Sequence, residues 1–402
     1  MKIAASAGII GASNESIYAI EEAKKRGIYT IAVDGNEKAP GLEHANQSAV
    51  VDLNDEEALF DYFCKNPIDF LLPVPVGRIL VATGAVNDRF DLPGVRFNAA
   101  HLSTDKWAFH ETLSNKGLRN AEALLVKSNE NVSKLADIDY PLILKPRFGS
   151  GSRAVKKYGS YAELSEDVGE IVSKEEDFIA ETCKKGIEYG ADVFIVNGTT
   201  HLILLREKIL TPEPYRQCVG YFAIEYNRET EELFNRINTL LKGIVDALGL
   251  NNCLMHADIL DDGREAFVIE VSPRPSGHYL HNYFTRYATG FDMLGSYIDF
   301  AIASKERKPF EMDYQYNAKS MLIKYFDLKE GIIEKLPDPE TTKSREDVVC
   351  YNCNLKPGDS IGMVTDGRSV MGRGFYVVAA DTLESAKAIC AEIEKQFVIR
   401  EV

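Results

Sequence analysis

The chain has 402 residues, 45% of them hydrophobic and 27% charged, which is ordinary for a globular protein and too long for one core, so about two or three domains are expected. Asp and Glu outnumber Lys and Arg by 61 to 46, and the formal charge of −15 repels nucleic acid and anionic membranes. No run approaches ~18 uninterrupted apolar residues and the N-terminus passes into a strand-turn pattern, so no membrane segment and a cytoplasmic location are expected.

In chain order, IAASAGIIGASNESIYAIEEAKKRGIYTIAVDGN reads as strand, Gly-rich turn, amphipathic helix and second strand (Tyr29 to Val33) ending in Asp34, a βαβ unit. Gly8 and Gly11 bracket the turn, but their spacing is not that of a dinucleotide fingerprint. Strands at Ser48 to Val51 and Phe70 to Pro73, with a helix at about Asp55 to Lys65 between them, extend a parallel sheet that finishes near Asn98. STDKWAFHETLSNKGL then predicts a helix with Ser103 or Thr104 as its N-cap and Lys106 just inside.

Hairpins replace the parallel pattern from YPLILKPRFGSGSRAVKKY onward, where a strand ending at Lys145-Pro146 meets a Gly/Ser turn and a returning strand at Arg153 to Lys157. A further strand pair in DFIAETCKKGIEYGADVFIV and a long helix at about Glu229 to Leu248 follow. SKERKPFE reads as a linker, and the remainder, closing with a helix from Thr382 to Phe397, as a small α+β unit. Seven scattered cysteines argue against a disulfide framework, and the lone Cys350/Cys353 pair lacks the second pair that a zinc site needs. His278 and His281 have no acid or thiol neighbours in sequence and read as pocket or surface residues.

The stretch from Met255 to Gly277, MHADILDDGREAFVIEVSPRPSG, carries the most chemistry. Two apolar runs joined by Asp261-Asp262-Gly263 predict a β-hairpin that brings Asp258 near Glu270. Two carboxylates in one small volume repel unless a cation joins them, and Mg²⁺ is held by one or two carboxylates plus substrate phosphates. Arg274 supplies a planar fork of donors for phosphate or carboxylate. The turn Gly149-Ser150-Gly151-Ser152 lies between strands, so it is no Walker P-loop, but its free N–H groups can fold over phosphates as a lid.

The succession Asp105-Lys106, PLILKPRFGSGSRAV, FIAETCKKGIEYGADV, HADIL and VIEVSPRPSG resembles the ATP-grasp superfamily, from about residue 1 to the C-terminus. The resemblance implies α/β and α+β architecture: a Rossmann-like pre-ATP-grasp domain over 1–100, a central ATP-grasp domain over 101–305 with its lid at about 141–207, and a small C-terminal α+β domain over 306–402. It implies that Lys106 and Lys145 contact ATP phosphates, with Gly149 to Ser152 above them. Glu181, Thr182 and Cys183 hold adenine as a hinge, Glu188 takes the ribose, and Asp258, Glu270 and Ser272 hold Mg²⁺ or Mn²⁺. Ser272 stands where most members have Asn, which puts a second metal ion in doubt; a hydroxyl can still ligate Mg²⁺.

Arg274 and Lys145 are the implied catalytic residues, and Arg206, Lys208, Arg216, Ser276, Gly277 and His278 the candidates for the substrate side. The implied reaction is ATP- and Mg²⁺-dependent joining of a small carboxylate to an amine through an acyl phosphate, giving ADP and phosphate. A purine-biosynthetic ligase is the alternative, and a catalytically silent nucleotide-binding module the second. Neither nucleic acid nor membrane is an expected partner, and a homodimer stays open.

Overall fold

The N-terminal apolar runs form parallel strands β1 (Ser6–Ile10) and β2 (Tyr29–Asp34), with helix α1 (Asn14–Lys25) between them, in a computed structural model describing residues 5–119, 121–127, 132–149, 154–172, 176–213, 215–367, 369–370 and 372–401. Ser13 caps α1, and Asp34 closes the glycine turn by accepting from Ala12 N at 2.7 Å. Helix α2 (Gly41–His44), β3 (Gln47–Val50), α3 (Glu56–Lys65), β4 (Phe70–Leu71) and α4 (Leu80–Arg89) complete a parallel sheet in the order β3-β2-β1-β4. Ile9, Ala32 and Phe70 on one face and Ile10, Val33 and Leu71 on the other are buried, as a sheet covered on both faces requires.

Helix α5 (Phe97–Thr104) precedes α6 (Lys106–Ser114). The cap of α6 is Asp105, not Ser103 or Thr104, whose hydroxyls return to Ala99 O and Ala100 O at the end of α5. Asp105 accepts from Trp107 N and Ala108 N and is itself gripped by Arg147 at 2.8 and 2.6 Å, so the carboxylate serves cap and clamp together.

Strands β5 (Ala123–Val126), β6 (Leu142–Pro146), β7 (Lys156–Tyr158) and, after α7 (Tyr161–Val172), β8 (Phe178–Thr182) form an antiparallel sheet in the order β5-β8-β6-β7. Among the described residues the returning strand starts at Lys156, and Arg153 lies outside them. Ser150, Gly151 and Ser152 lie outside the described residues.

The long strands β9 (Ile187–Val196), β10 (Thr199–Leu210) and β11 (Cys218–Ala223) lead to α8 (Glu231–Leu248) and the hairpin β12 (Cys253–Asp261) and β13 (Ala266–Ser272). On α8, Phe234, Ile237, Leu241, Ile244, Val245 and Leu248 recur at helical spacing, and all are buried against the sheet. Then come α9 (Thr285–Thr289), α10 (Met293–Lys305), β14 (Met321–Tyr325), β15 (Gly331–Lys335), α11 (Pro339–Lys343), β16 (Val348–Cys353), β17 (Ser360–Ile361), β18 (Gly374–Ala379), α12 (Leu383–Glu394) and β19 (Val398–Arg400). Strands β14, β18 and β16 continue the central sheet, whose order is β13-β12-β9-β10-β11-β14-β18-β16, while β17-β15-β19 form a small sheet beside it. Among the described residues no helix is long and apolar enough to cross a membrane.

Candidate active site

The hairpin pairs Asp258 directly with Glu270 and His256 with Ser272, so both acids lie on one face of the sheet at its β13 edge. Glu270 is exposed and faces a cleft of about 710 Å³ that Ser272, Arg274, Lys106, Lys145 and Gly149 also line. Asp258 is more deeply set. Its Oδ2 meets Lys208 Nζ at 2.7 Å, and its buried Oδ1 makes no well-formed hydrogen bond, His256 Nε2 being 3.2 Å away. Burial alone would raise the Asp258 pKa, but Lys208 and His256 outweigh it and hold the carboxyl well below the usual range.

The cations stand across the cleft. Lys106, at the start of α6, donates to Gly149 O at 2.8 Å, and burial lowers its pKa. Lys145 on β6 is 2.5 Å from Glu181 on β8, and Arg119 contacts the other oxygen of that carboxylate at 2.6 Å. Burial would raise the Glu181 pKa, yet these two charges bring it to about 2. Glu181 is therefore a buried anchor for Lys145. Of the residues expected to form the hinge, Thr182 N and Cys183 N donate to Glu122 O and Pro141 O. Glu188 accepts from Arg216 at 2.9 Å and lies 3.7 Å from Lys208.

Arg274 is directed by backbone: its Nε donates to Val76 O at 3.1 Å and Nη1 to Pro275 O at 2.8 Å. Among the described residues no carboxylate forms an ion pair with it, and burial lowers its pKa. The Val76 contact ties the hairpin to the loop after β4. A second tie runs from His278 N to Glu15 Oε1 at 3.1 Å, which brings the first turn of α1 beside Gly277. His278 and Tyr279 both have positive φ, and Ser276 Oγ is buried without a partner, a strained loop of the kind found at binding sites.

Three substrate-side expectations change. Arg206 is fully buried and gripped by Asp192 at 2.6 and 3.0 Å, with Thr285 Oγ1 also donating to Asp192 at 2.6 Å, so it forms a core ion pair. Alternation along β10 puts it on the same face as Lys208, and the register places it level with Asp258 on that face, where Asp192 and Thr285 enclose it. Lys208, two residues on, is held by Asp258 at 2.7 Å and lies 3.7 Å from Glu188. Arg216 covers Glu188. Sequence reading missed Glu15, Arg78, Arg119 and His256. Of these only His256 carried a signal, standing two residues before Asp258 on the same strand face.

The residues fit a hard divalent cation bound together with phosphates. Asp258 offers a buried oxygen without a well-formed bond, Glu270 faces it across the hairpin, and the cations opposite suit a polyanion. Among the described residues no group of three or more His, Cys, Asp or Glu could hold a metal by itself, so phosphate or water oxygens must complete the coordination.

Residues 138–282 match the family described as the ATP-grasp domain. A D-alanine–D-alanine ligase of Bacteroides fragilis is 22% identical over 282 residues, covering 65% of this chain and 84% of that one. An N5-carboxyaminoimidazole ribonucleotide synthase of Staphylococcus aureus is 22% identical over 292 residues, covering 69% and 73%. Among solved structures, an L-amino acid ligase from Bacillus licheniformis superposes with a TM-score of 0.81 at 20% identity and covers all of both chains. A phosphoribosylglycinamide synthetase from Anaerococcus prevotii gives 0.74 at 19% identity over 99% of this chain and 100% of that one. Residues 138–282 are therefore similar to the ATP-grasp domain, and the chain as a whole shares the fold of the solved L-amino acid ligase and phosphoribosylglycinamide synthetase.

Proposed function

We propose that the protein is an ATP- and Mg²⁺-dependent ligase that activates a carboxylate as its acyl phosphate and joins it to an amine, releasing ADP and phosphate. The observation that carries this reading is the direct pairing of Asp258 with Glu270, which lines a cleft that Lys106, Lys145 and Arg274 also line. Bringing a carboxylate against a triphosphate sets anion against polyanion, and positioned cations must neutralise the approach and the spreading charge. Mg²⁺, when bound, would be held by Asp258 and Glu270 with the Ser272 hydroxyl beside them, and would supply charge neutralisation at the phosphate oxygens. Lys106 and Lys145 serve the phosphates, and Glu181 keeps Lys145 aimed. Arg274, held by Val76 O and Pro275 O, offers its remaining N–H groups to the reacting oxygens. Solved neighbours are complexes with ADP or MgADP, which supports this assignment of the cofactors.

Within this reading the geometry favours an α-amino acid as a substrate. Glu15 and Arg274 lie close enough to influence one another, so anion and cation border the same corner, and a zwitterion has one group for each. The similarity to a D-alanine–D-alanine ligase and an L-amino acid ligase agrees with that. The purine-ligase alternative has its own support in the ribonucleotide synthase and phosphoribosylglycinamide synthetase matches. A panel of carboxylic acids, amino acids and ribonucleotide amines, assayed with MgATP for phosphate release, decides. Release dependent on a pair of amino acids is expected. Release only with a ribonucleotide amine selects the purine reading, and none with any acid and amine contradicts the ligase.

A further inference from the structure

Arg78 stands on the loop between β4 and α4, contributed by the first domain, and it is exposed at the rim of the nucleotide cleft. Its guanidinium carbon lies 4.4 Å from the centroid of the Phe148 ring, the residue that opens the glycine-rich turn. Arg147 approaches the same ring at 5.2 Å and is itself clamped to Asp105 and Asp177. Phe148 thus contacts two guanidiniums, one fixed to the N-cap of the helix that carries Lys106, the other brought by a different domain. The next residue, Gly149, is bonded through its carbonyl to Lys106. Two positions before Arg78, Val76 O accepts from Arg274. One short loop therefore touches Arg274 on the hairpin side of the cleft and Phe148 on the opposite side.

Among the described residues Arg78 has no ion-pair partner, so salt bridging does not explain its placement. A cation within about 6 Å of an aromatic centroid is attracted to the ring face, and the planar guanidinium stacks where an ammonium does not. We propose that Arg78 is a positioning residue: by stacking on Phe148 it sets Phe148 and Gly149 over the phosphate end of the cleft, and through Val76 it couples these two residues to Arg274. The inference rests on the nucleotide-binding reading above. It adds that the first domain controls affinity for the phosphates and leaves affinity for the base unaffected.

The test measures binding of MgATP and of AMP by calorimetry to the full chain, to Arg78→Ala, Arg78→Lys, Phe148→Leu and Phe148→Tyr, and to the double variant of Arg78→Ala with Phe148→Leu, with hydrogen exchange of the 142–149 segment in ligand-free protein. Arg78→Ala is expected to weaken MgATP about tenfold and AMP less than twofold, and to speed exchange at Phe148 and Gly149. Arg78→Lys should resemble alanine, because charge without a plane does not stack, and Phe148→Tyr should resemble wild type. Phe148→Leu should match Arg78→Ala, with the double variant no worse than either alone. Additive losses, full rescue by lysine, or equal losses for MgATP and AMP would overturn the proposal. Wild-type protein that binds no MgATP would instead refute the nucleotide reading and take this inference down with it. Unchanged exchange in Arg78→Ala alongside normal MgATP binding refutes Arg78 alone.

Discussion

Arg206 and Arg274 look alike in sequence, each a basic residue close to a strand, yet they do opposite work. Arg206 shares a sheet face with Asp258 but is enclosed there and neutralised by Asp192, whereas Arg274 follows β13 and, among the described residues, is held by carbonyl oxygens. Nothing local to either residue distinguishes them, because the cover over β10 comes from distant elements. The buried pair makes a definite prediction. Asp192→Ala should destabilise the fold by about 3–5 kcal/mol, since it leaves the Arg206 charge buried alone, and a urea titration would show it. A loss under 1 kcal/mol, on the order of an exposed pair, would mean that the pair is not what fixes this strand. Glu181 gives a second prediction. Its folded pKa of about 2 lies below its ordinary value of 4.5, so the stabilisation is complete above about pH 5 and fades as pH falls toward 2. Between those limits the urea midpoint of wild type should fall more steeply than that of Glu181→Gln; parallel slopes would contradict the assignment.

At the scale of elements, patterns of short range were legible and their boundaries were set by contacts from elsewhere. The βαβ start, the acidic hairpin and the long amphipathic helix could be read because apolar spacing and turn residues are local. The cap of α6 was misplaced by one or two residues, since Asp105 gains its advantage from Arg147, far along the chain. Asp105→Ala should lower stability by about 1–2 kcal/mol for the cap alone. Because it also frees Arg147, it should loosen the Phe148 stack, which hydrogen exchange at Phe148 would reveal; unaltered exchange there would separate cap from clamp. The packing of α4 on α5 depends on Gly84, where an added Cβ would lie 2.8 Å from Phe97 backbone atoms. Gly84→Ala should therefore cost about 1–3 kcal/mol as an overpacked contact, lowering the thermal midpoint by several degrees. An unchanged midpoint would show that the two helices can part freely.

At the scale of the molecule, the cleft exists because three separately formed pieces meet: the loop after β4, the sheet that carries Lys145, and the β12–β13 hairpin. The order of the motifs announced the architecture, but not the ties between the pieces. Val76 with Arg274 and Glu15 with His278 are remote in sequence, and no periodicity encodes such pairs. The same holds for β14, β18 and β16, which join the central sheet from beyond the charged segment that reads as a linker. What unites the pieces is one electrostatic design, two paired acids facing a group of cations, and its central claim is that the acids hold a divalent cation against a nucleotide. The most direct measurement is calorimetric titration of ATP into wild type and Glu270→Gln, each with and without Mg²⁺. Mg²⁺ should tighten ATP binding to wild type by about tenfold or more, equivalent to about 1.4 kcal/mol, and should do little for the folded variant. Equal tightening in both proteins would contradict the claim.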